Sequence, residues 1–272
     1  MLKQRIITAL ILIPIVISII FFLPTTYLAL LFAVLTVAGG IEWAKLAGLD
    51  DCKAMSAYPV FIIAAMAGCY WLIVQQWDLY FLAGVSVFWL LMIPLLLTRR
   101  KPLKQDEGIN YLFLLLGIIL LPASWLSLVL IHYHSAMGAS ILLFILVLIW
   151  TADSGAYFTG KKFGKHKLAP IVSPGKTIEG LLGALIFGLI WSIAYYSFAP
   201  YSEVGLPQFI ALCFLIIMVS VVGDLFESVL KRKRGAKDSG NILPGHGGIL
   251  DRVDSVIAAM PVFYTGLMLL AK

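Results

Sequence analysis

Long apolar stretches alternate with short polar segments along the whole chain. Each stretch approaches or exceeds the ~20 residues that an α-helix needs to cross the hydrocarbon core of a bilayer. The pattern therefore predicts nine membrane-spanning helices. Their expected ranges are 6–23, 27–47, 57–75, 79–97, 111–133, 139–160, 177–198, 206–230 and 255–271. Pro122 lies inside the fifth span, so that helix is expected to be kinked or split.

The first apolar stretch follows a short basic segment, as the apolar region of a secretory signal peptide would. It is longer than such a region usually is, contains Pro14 and has no small-residue cleavage site before the next span. We therefore predict that it is retained as the first membrane helix.

The composition agrees with a membrane protein, because 61% of the residues are hydrophobic and 12% are charged. Soluble domains carry about 25% charged residues, and disordered chains are poorer in apolar side chains. Both classes are excluded, and we expect an all-α polytopic membrane protein with about nine transmembrane helices. Cys52, Cys69 and Cys213 are too far apart for a thiolate zinc site or a disulfide framework.

Basic residues are confined to alternate loops. All Lys and Arg residues except the C-terminal Lys272 fall before the first span or after an even-numbered one. By the positive-inside rule this places the N-terminus in the cytoplasm. We expect N-terminal spans over residues 1–135 and a catalytic membrane region over 136–272, with cytoplasmic loops 161–176 and 231–254. The bacterial inner membrane is the expected location, with the active site on its cytoplasmic side.

Several acidic residues lie inside or at the edge of the predicted spans. A carboxylate at the bilayer centre costs at least ~2.5–3.5 kcal/mol, so each one needs a partner, a metal or a water-filled cavity. Glu42 lies three residues before Lys45, and we interpret these two as an ion pair at a helix end. Asp153 and Asp224 have no basic residue within a helical turn, so they remain candidates for a functional site.

Polar residues also share one face of the eighth span, which leads into a basic loop. Residues three, four and seven positions apart lie on the same side of a helix. This face would suit a proton or ion path, a hard cation bound beside an anionic substrate, or a polar clamp between helices. Its members are Asp224, Glu227, Ser228 and Lys231.

The loop before the seventh span contains the segment Gly175-Lys176-Thr177. The segment resembles the end of a P-loop, but the full pattern requires glycine where this chain has Pro170, so a Walker motif is rejected. At the start of a helix, these residues would still offer N–H groups, a hydroxyl and an ammonium group to a phosphate.

The loop after the eighth span combines glycines with charged residues. Attraction to anionic lipid would explain the basic run 231–234, but it would not explain the segment 245–248 and the charged residues after it. Glycine lets backbone approach a ligand closely, His246 can donate a hydrogen bond to phosphate, and Arg252 can bind phosphate with two donors. The neighbouring Asp251 and Asp254 can hold a metal.

Residues 228–254 resemble the signature of the phosphatidate cytidylyltransferases, also called CDP-diacylglycerol synthases. That signature is S-x-apolar-K-R, four residues, K-D, and then P-x-H-G-G-apolar-x-D-R-apolar-D, and each of its fixed positions is met. The segments 150–157 and 173–180 are similar to the same family. The resemblance covers the C-terminal half from about Trp150, whereas the N-terminal spans agree in hydropathy and number alone.

The resemblance implies a Mg²⁺-dependent reaction of CTP with phosphatidate to CDP-diacylglycerol and diphosphate. The lipid phosphate is itself an anionic nucleophile, so a Ser or Cys nucleophile is not needed. Metal and clustered basic residues would offset the repulsion between two anions and stabilise the transferring phosphorus. The implied partners are CTP, phosphatidate and the membrane; we expect no nucleic-acid partner, and a homodimer stays open.

The expected site residues fall into three groups. Those expected to act on the reacting phosphates are Lys231, Arg232, Lys237, Asp238, His246 and Arg252. Those expected to bind substrate are Ser173, Lys176, Thr177, Ser228, Gly247 and Gly248. The preferred Mg²⁺ ligands are Asp224 and Asp251, with Asp254 and Glu227 as second choices. In contrast, Arg99, Arg100 and Lys101 are expected to serve topology and lipid attraction alone.

Three other functions fit the sequence less well. A secondary transporter would favour broken helices at the midplane and repeat symmetry, whereas here the unusual residues gather at one face. A CTP-dependent lipid-alcohol kinase shares the nucleotide and the membrane, but the signature at 228–254 argues against it. A non-catalytic scaffold would give no reason for Asp153 and Asp224 to lie in spans.

Overall fold

The computed structural model describes residues 13–99, 104–105, 108–135, 137–198, 204–240 and 247–271, except the side chain of Cys52. In this part of the chain, eight helices are long and apolar enough to cross a membrane, and a shorter apolar helix precedes them. They are α1 (Ile13–Phe22), α2 (Thr25–Leu46), α3 (Cys52–Val74), α4 (Asp78–Leu97), α5 (Tyr111–Tyr133), α6 (Gly138–Phe163), α7 (Ile178–Phe198), α8 (Leu206–Lys233) and α9 (Leu250–Leu270).

The expectation of an all-α polytopic membrane protein is confirmed by these helices. The number of nine spans stays a prediction, because helix α1 begins at the first described residue. The orientation in the membrane also stays a prediction. Helix α5 is a single helix through Pro122, so the fifth span is not split.

Helices α8 and α9 extend into the loop that the apolar pattern predicts between them. Helix α8 continues to Lys233, and helix α9 already begins at Leu250. Basic side chains in the last turn of α8 and Asp251 in the first turn of α9 both complement the helix dipoles, which favours these extensions. As a result, Lys231 and Asp251 are held by helices and not by a loop.

The loop before helix α7 contains an antiparallel hairpin that the sequence pattern does not predict. Strand β1 (Lys167–Ala169) pairs with strand β2 (Ser173–Thr177). The Thr177 hydroxyl then accepts a hydrogen bond from the Gly180 N–H at 3.1 Å, which caps the start of the helix. Lys176 is therefore placed on a strand directly before the helix, not in its first turn.

The burial of the helices separates the centre of the bundle from its periphery. In the most apolar window of α8, 67% of the residues are buried, against 22% in that of α7. An aromatic cluster around Phe226 of α8 joins this helix to α2, α4 and α5, with ring centroids 5.5–6.1 Å from Trp43, Phe88, Trp89 and Phe113. This packing holds α8 in place immediately beside its acidic residues.

Candidate active site

Three carboxylates meet where helix α8 packs against helix α9. A Cβ atom at Gly223 would collide with the Asp254 carbonyl oxygen, so this glycine lets the two helices approach closely. Asp254 lies near enough to Asp224 and Glu227 for their charges to repel. Glu227 is 3% exposed, and its Oε1 atom makes no hydrogen bond in the described part of the chain, although Asp254 is close by. The cluster therefore needs positive charge beside it, in the form of a cation or of a proton held between carboxylates.

Lys231 supplies part of that charge. Its ammonium group lies 2.8 Å from Glu227 Oε2 and 2.7 Å from Asp251 Oδ1, so it joins the end of α8 to the start of α9. The side chain is 13% exposed. Lys231, which the sequence assigns to substrate phosphate, is thus held between two acidic side chains, where it organises the site.

The second oxygen of Asp251 shapes the backbone before helix α9. Its Oδ2 atom accepts hydrogen bonds of 2.9 Å from Ser239 N, Ser239 Oγ and Gly248 N. Gly247 next to this contact has a φ of 81°, which a residue with a Cβ rarely adopts. The glycines of the signature therefore let the chain fold tightly around this carboxylate.

Glu42 of helix α2 belongs to the same network, and its interpretation as an ion-pair partner of Lys45 is wrong. The Glu42 side chain accepts hydrogen bonds from Ile249 N at 3.1 Å and Leu250 N at 2.9 Å, and it also lies 3.1 Å from Ser239 Oγ, whose single hydroxyl proton it shares with Asp251. Glu42 is 2% exposed, whereas Lys45 points away on the exposed surface. The donors are at the N-terminal end of α9, where free N–H groups favour a carboxylate.

Sequence reasoning missed this role because the partners of Glu42 lie about two hundred positions further along the chain. A single acidic residue in a span is a signal, but a nearby lysine offers a simpler local explanation. Two glycines complete the arrangement, since a Cβ at Gly240 or Gly248 would overlap the Glu42 carboxylate. The N-terminal half of the chain therefore contributes directly to the candidate site.

A polar cavity of about 410 Å³ lies beside the acidic cluster, between α6, α7, α8 and the hairpin. Asp153 and Asp224 line it, as does Lys176, whose ammonium group lies 2.7 Å from Asp224 Oδ2. Asp153 and Asp224, the acidic residues in spans with no basic residue nearby in the sequence, thus line one cavity together with a lysine from a distant segment. When a charged ligand enters such a cavity, the lysine can bind the ligand in place of the aspartate.

The hairpin that carries Lys176 is fixed to the first turn of helix α7. Glu179 accepts hydrogen bonds from the backbone N–H groups of Lys165 and His166, at 3.1 and 3.2 Å, and lies 2.6 Å from His166 Nδ1. Glu179 therefore closes the segment before β1 onto α7. This contact holds Lys176 and Thr177 at the wall of the polar cavity.

The remaining residues that the sequence assigns to the site lie around these two centres. Ser228 donates a hydrogen bond of 3.3 Å to Asp224, and Ser173 is partly buried on β2. Three others have exposed side chains that face away from the protein interior: Arg232, Lys237 and Asp238. Arg252 is exposed in the first turns of α9. His246, Arg100 and Lys101 lie outside the described residues.

Known proteins resemble this chain over most of its length. The model of the cytidylyltransferase family matches residues 3–270. A phosphatidate cytidylyltransferase of Pseudomonas aeruginosa is 41% identical over 97% of this chain and 96% of its own length. One from Haemophilus influenzae is 37% identical over 97% of both chains, and one from Bacillus subtilis is 46% identical over 47% of both. The chain belongs to the cytidylyltransferase family.

Proposed function

We propose that the protein is a phosphatidate cytidylyltransferase. A phosphate oxygen of phosphatidate attacks the α-phosphorus of CTP, the bond from that phosphorus to the oxygen of the β-phosphate breaks, and diphosphate leaves. The products are CDP-diacylglycerol and diphosphate. The names of the full-length relatives support this assignment, since two of them match almost the whole chain.

The main support for the proposal is that carboxylates and lysines lie together beside the polar cavity. Asp224 joins the acidic cluster to the cavity, and Lys176 contacts Asp224 at the cavity wall. Such a site suits a nucleoside triphosphate, because a fixed ammonium group binds phosphate oxygens while carboxylates favour a divalent cation. All these residues lie at the end of the bundle where α6 and α8 end and α7 and α9 begin, and we name it the basic end.

Mg²⁺ fits the residues of this site. No three His, Cys, Asp or Glu side chains among the described residues are grouped closely enough to form a complete cage. Mg²⁺ does not require one, because one or two carboxylates usually hold it together with water and substrate phosphates. The closeness of the Asp224, Glu227 and Asp254 carboxylates fits a divalent cation, because oxygen ligands of this kind suit Mg²⁺. Asp224 and Asp251 remain the proposed ligands, with Asp254 and Glu227 beside them; Asp251 would bind the metal by giving up one of its contacts with Lys231, Ser239 and Gly248.

The protein's own residues would orient and neutralise the two reacting anions. Lys176 binds the phosphates of CTP in place of its contact with Asp224, and Arg252 binds the phosphate of the lipid. Lys231 keeps Glu227 and Asp251 in position from between them. When bound, Mg²⁺ supplies charge neutralisation for the phosphates. A protein nucleophile is not required, because the phosphate monoester is already anionic.

The direct test uses the purified protein with CTP, phosphatidate and Mg²⁺, followed by detection of CDP-diacylglycerol and diphosphate. Formation of both products in equal amounts supports the proposal. Transfer of a phosphate group from CTP to a lipid alcohol would indicate a kinase instead. Turnover of neither lipid under conditions in which the P. aeruginosa relative is active would contradict the proposal.

Lys176→Ala is expected to lower kcat/KM for CTP by about 100-fold, since one preorganised contact to a reacting group contributes on that order. Arg99→Ala is the matched control, because Arg99 follows α4 outside the polar cavity and its loss should change turnover less than about threefold. Initial rates at varied CTP concentration measure both variants. The reverse order of effects would remove Lys176 from the nucleotide site.

We further propose that the basic end faces the cytoplasm in a bacterial inner membrane. The described lysines and arginines gather at this end, as the positive-inside rule requires for the cytoplasmic side. A reporter enzyme that works only outside the cytoplasm should be active when fused after residue 272. Activity of a reporter restricted to the cytoplasm at the same position would contradict the orientation or the number of spans.

A further inference from the structure

A second cavity, apolar and separate from the polar one, is bordered by helix α9, which contributes none of the described residues that line the polar cavity. It has a volume of about 240 Å³, and residues of α1, α2, α5, α6 and α9 line it. Most of these side chains are aliphatic, and Arg252 is the one charged side chain among the described lining residues. We name this cavity the apolar groove.

The apolar groove extends from the basic end toward the middle of the bundle. Along α9 its lining runs from Leu250 to Ile257, and along α2 from Gly39 back to Leu31. At a rise of 1.5 Å per residue these stretches cover about 10–12 Å, close to the ~15 Å of hydrocarbon in one leaflet. Arg252 lies near the start of α9 and thus at the end of the groove that corresponds to the membrane surface.

The apolar groove is also open toward the side of the bundle. Leu31 and Leu35 of α2 contribute to its lining, and they are 36% and 38% exposed. In a membrane protein, an exposed apolar side chain on the outer surface of a spanning helix faces lipid. A lipid chain can therefore reach the groove from the bilayer without passing through water.

Helix α9 connects the apolar groove to the candidate active site. Leu250 lines the groove, while its backbone N–H group binds Glu42. Asp251 and Asp254 on the same helix belong to the acidic network next to α8. A headgroup bound at the mouth of the groove would therefore lie within one helical turn of the carboxylates that we assign to the metal.

We propose that one acyl chain of phosphatidate occupies the apolar groove, with the lipid phosphate at Arg252. This proposal rests on the proposed function. Its basis is a combination of three features of the apolar groove. The Arg252 side chain lies at its surface end, its apolar lining is about as deep as one leaflet, and its side opens to lipid. CTP then enters from the polar cavity, so the two substrates approach the acidic cluster through separate cavities.

The test narrows the apolar groove with Thr36→Trp on α2 and compares phosphatidates with long (dioleoyl) and short (dihexanoyl) chains. Thr36 lines the groove, whereas Val34 on the same helix is 66% exposed and outside it, so Val34→Trp is the matched control. Thr36→Trp should lower kcat/KM for the dioleoyl lipid about tenfold or more, as expected when a hydrophobic pocket loses several methylene contacts. For the dihexanoyl lipid it should stay within about twofold of the unmodified protein. Val34→Trp should change neither value.

Turnover of the dihexanoyl lipid also shows that the variant is folded. A second variant, Ser124→Phe on α5, narrows the groove from another wall and should show the same preference for short chains. Equal loss with both lipids in both variants would overturn the proposal, because the effect would then not depend on the length of the acyl chain. Unchanged turnover of the dioleoyl lipid in both would overturn it as well. If the unmodified protein turns over neither lipid, the proposed function fails, and the assignment of the groove, which rests on it, fails with it.

Discussion

Asp224→Asn is expected to reduce turnover about 1,000-fold or more while the protein still inserts and purifies. Asp224 lies in the acidic cluster and also lines the polar cavity, where it contacts Lys176. A metal that neutralises phosphate charge contributes several kcal/mol to transition-state stabilisation, and each 1.4 kcal/mol corresponds to a factor of ten. The rate at saturating CTP and phosphatidate, measured over a range of Mg²⁺ concentrations, tests this expectation.

Asp78→Asn is the matched control for Asp224→Asn. Asp78 begins helix α4 at the opposite end of the bundle, where it accepts a hydrogen bond from Tyr264 at 3.3 Å. Its replacement should leave turnover within about threefold of the unmodified protein, because one surface contact is worth less than about 1 kcal/mol. Near-normal activity of Asp224→Asn would remove Asp224 from the site.

A double variant separates two roles that Asp224 could have. If Asp224 only balances the charge of Lys176, then Lys176→Met together with Asp224→Asn should be about as active as Lys176→Met alone. If Asp224 holds the metal, the double variant should be less active than either single variant. We expect the second result, because Asp224 lies beside the Asp254 carboxylate as well as beside Lys176, which suits a ligand of a divalent cation.

Glu42→Gln is expected to lower kcat about 100-fold, although Glu42 lies on α2 and outside the signature. Three donors point at its buried carboxylate, and an amide group would place its own N–H group against some of them. A hydrogen bond to a charged group contributes about 1.5–3 kcal/mol, so the loss of one or two bonds corresponds to a factor of this size. Glu42 is a positioning residue, because it acts through Ser239 and the start of α9.

Two measurements distinguish this role from a general loss of stability. The KM for CTP should change little in Glu42→Gln, since Glu42 does not line the polar cavity, while kcat falls. Lys45→Ala is the matched control and should be almost fully active, because the Lys45 side chain is exposed. An equal loss of kcat in Glu42→Gln and Lys45→Ala would instead support the Glu42–Lys45 ion pair that the sequence spacing predicts.

The hydrophobic pattern predicts the fold class well because the bilayer imposes a minimum length on each apolar helix. It predicts the ends of helices less well where charged residues continue a helix beyond the membrane, as at Lys231 in α8 and Asp251 in α9. The hairpin before α7 escaped prediction for a related reason. Its short strands are too polar and too few in residues to produce a recognisable alternation.

Sequence spacing predicted one part of the site correctly. Residues of α8 that are three and four positions apart do share a face, since Ser228 contacts Asp224 and Lys231 contacts Glu227. This result follows from helix geometry alone and needs no knowledge of the other helices. The partner of Asp224, in contrast, comes from a hairpin between two other helices.

The sequence by itself determined that this is a polytopic helical membrane protein of the cytidylyltransferase family, with its basic residues gathered at one end. Helix length, the alternation of basic loops and a local signature are properties of neighbouring residues, so they can be recognised without a fold. The tertiary structure alone decided that Lys176 meets Asp224, that Lys231 lies between two acids, and that Glu42 holds the start of α9. These contacts join segments far apart in the chain. They depend on which helices pack together, and small residues such as Gly223 determine how closely they do so.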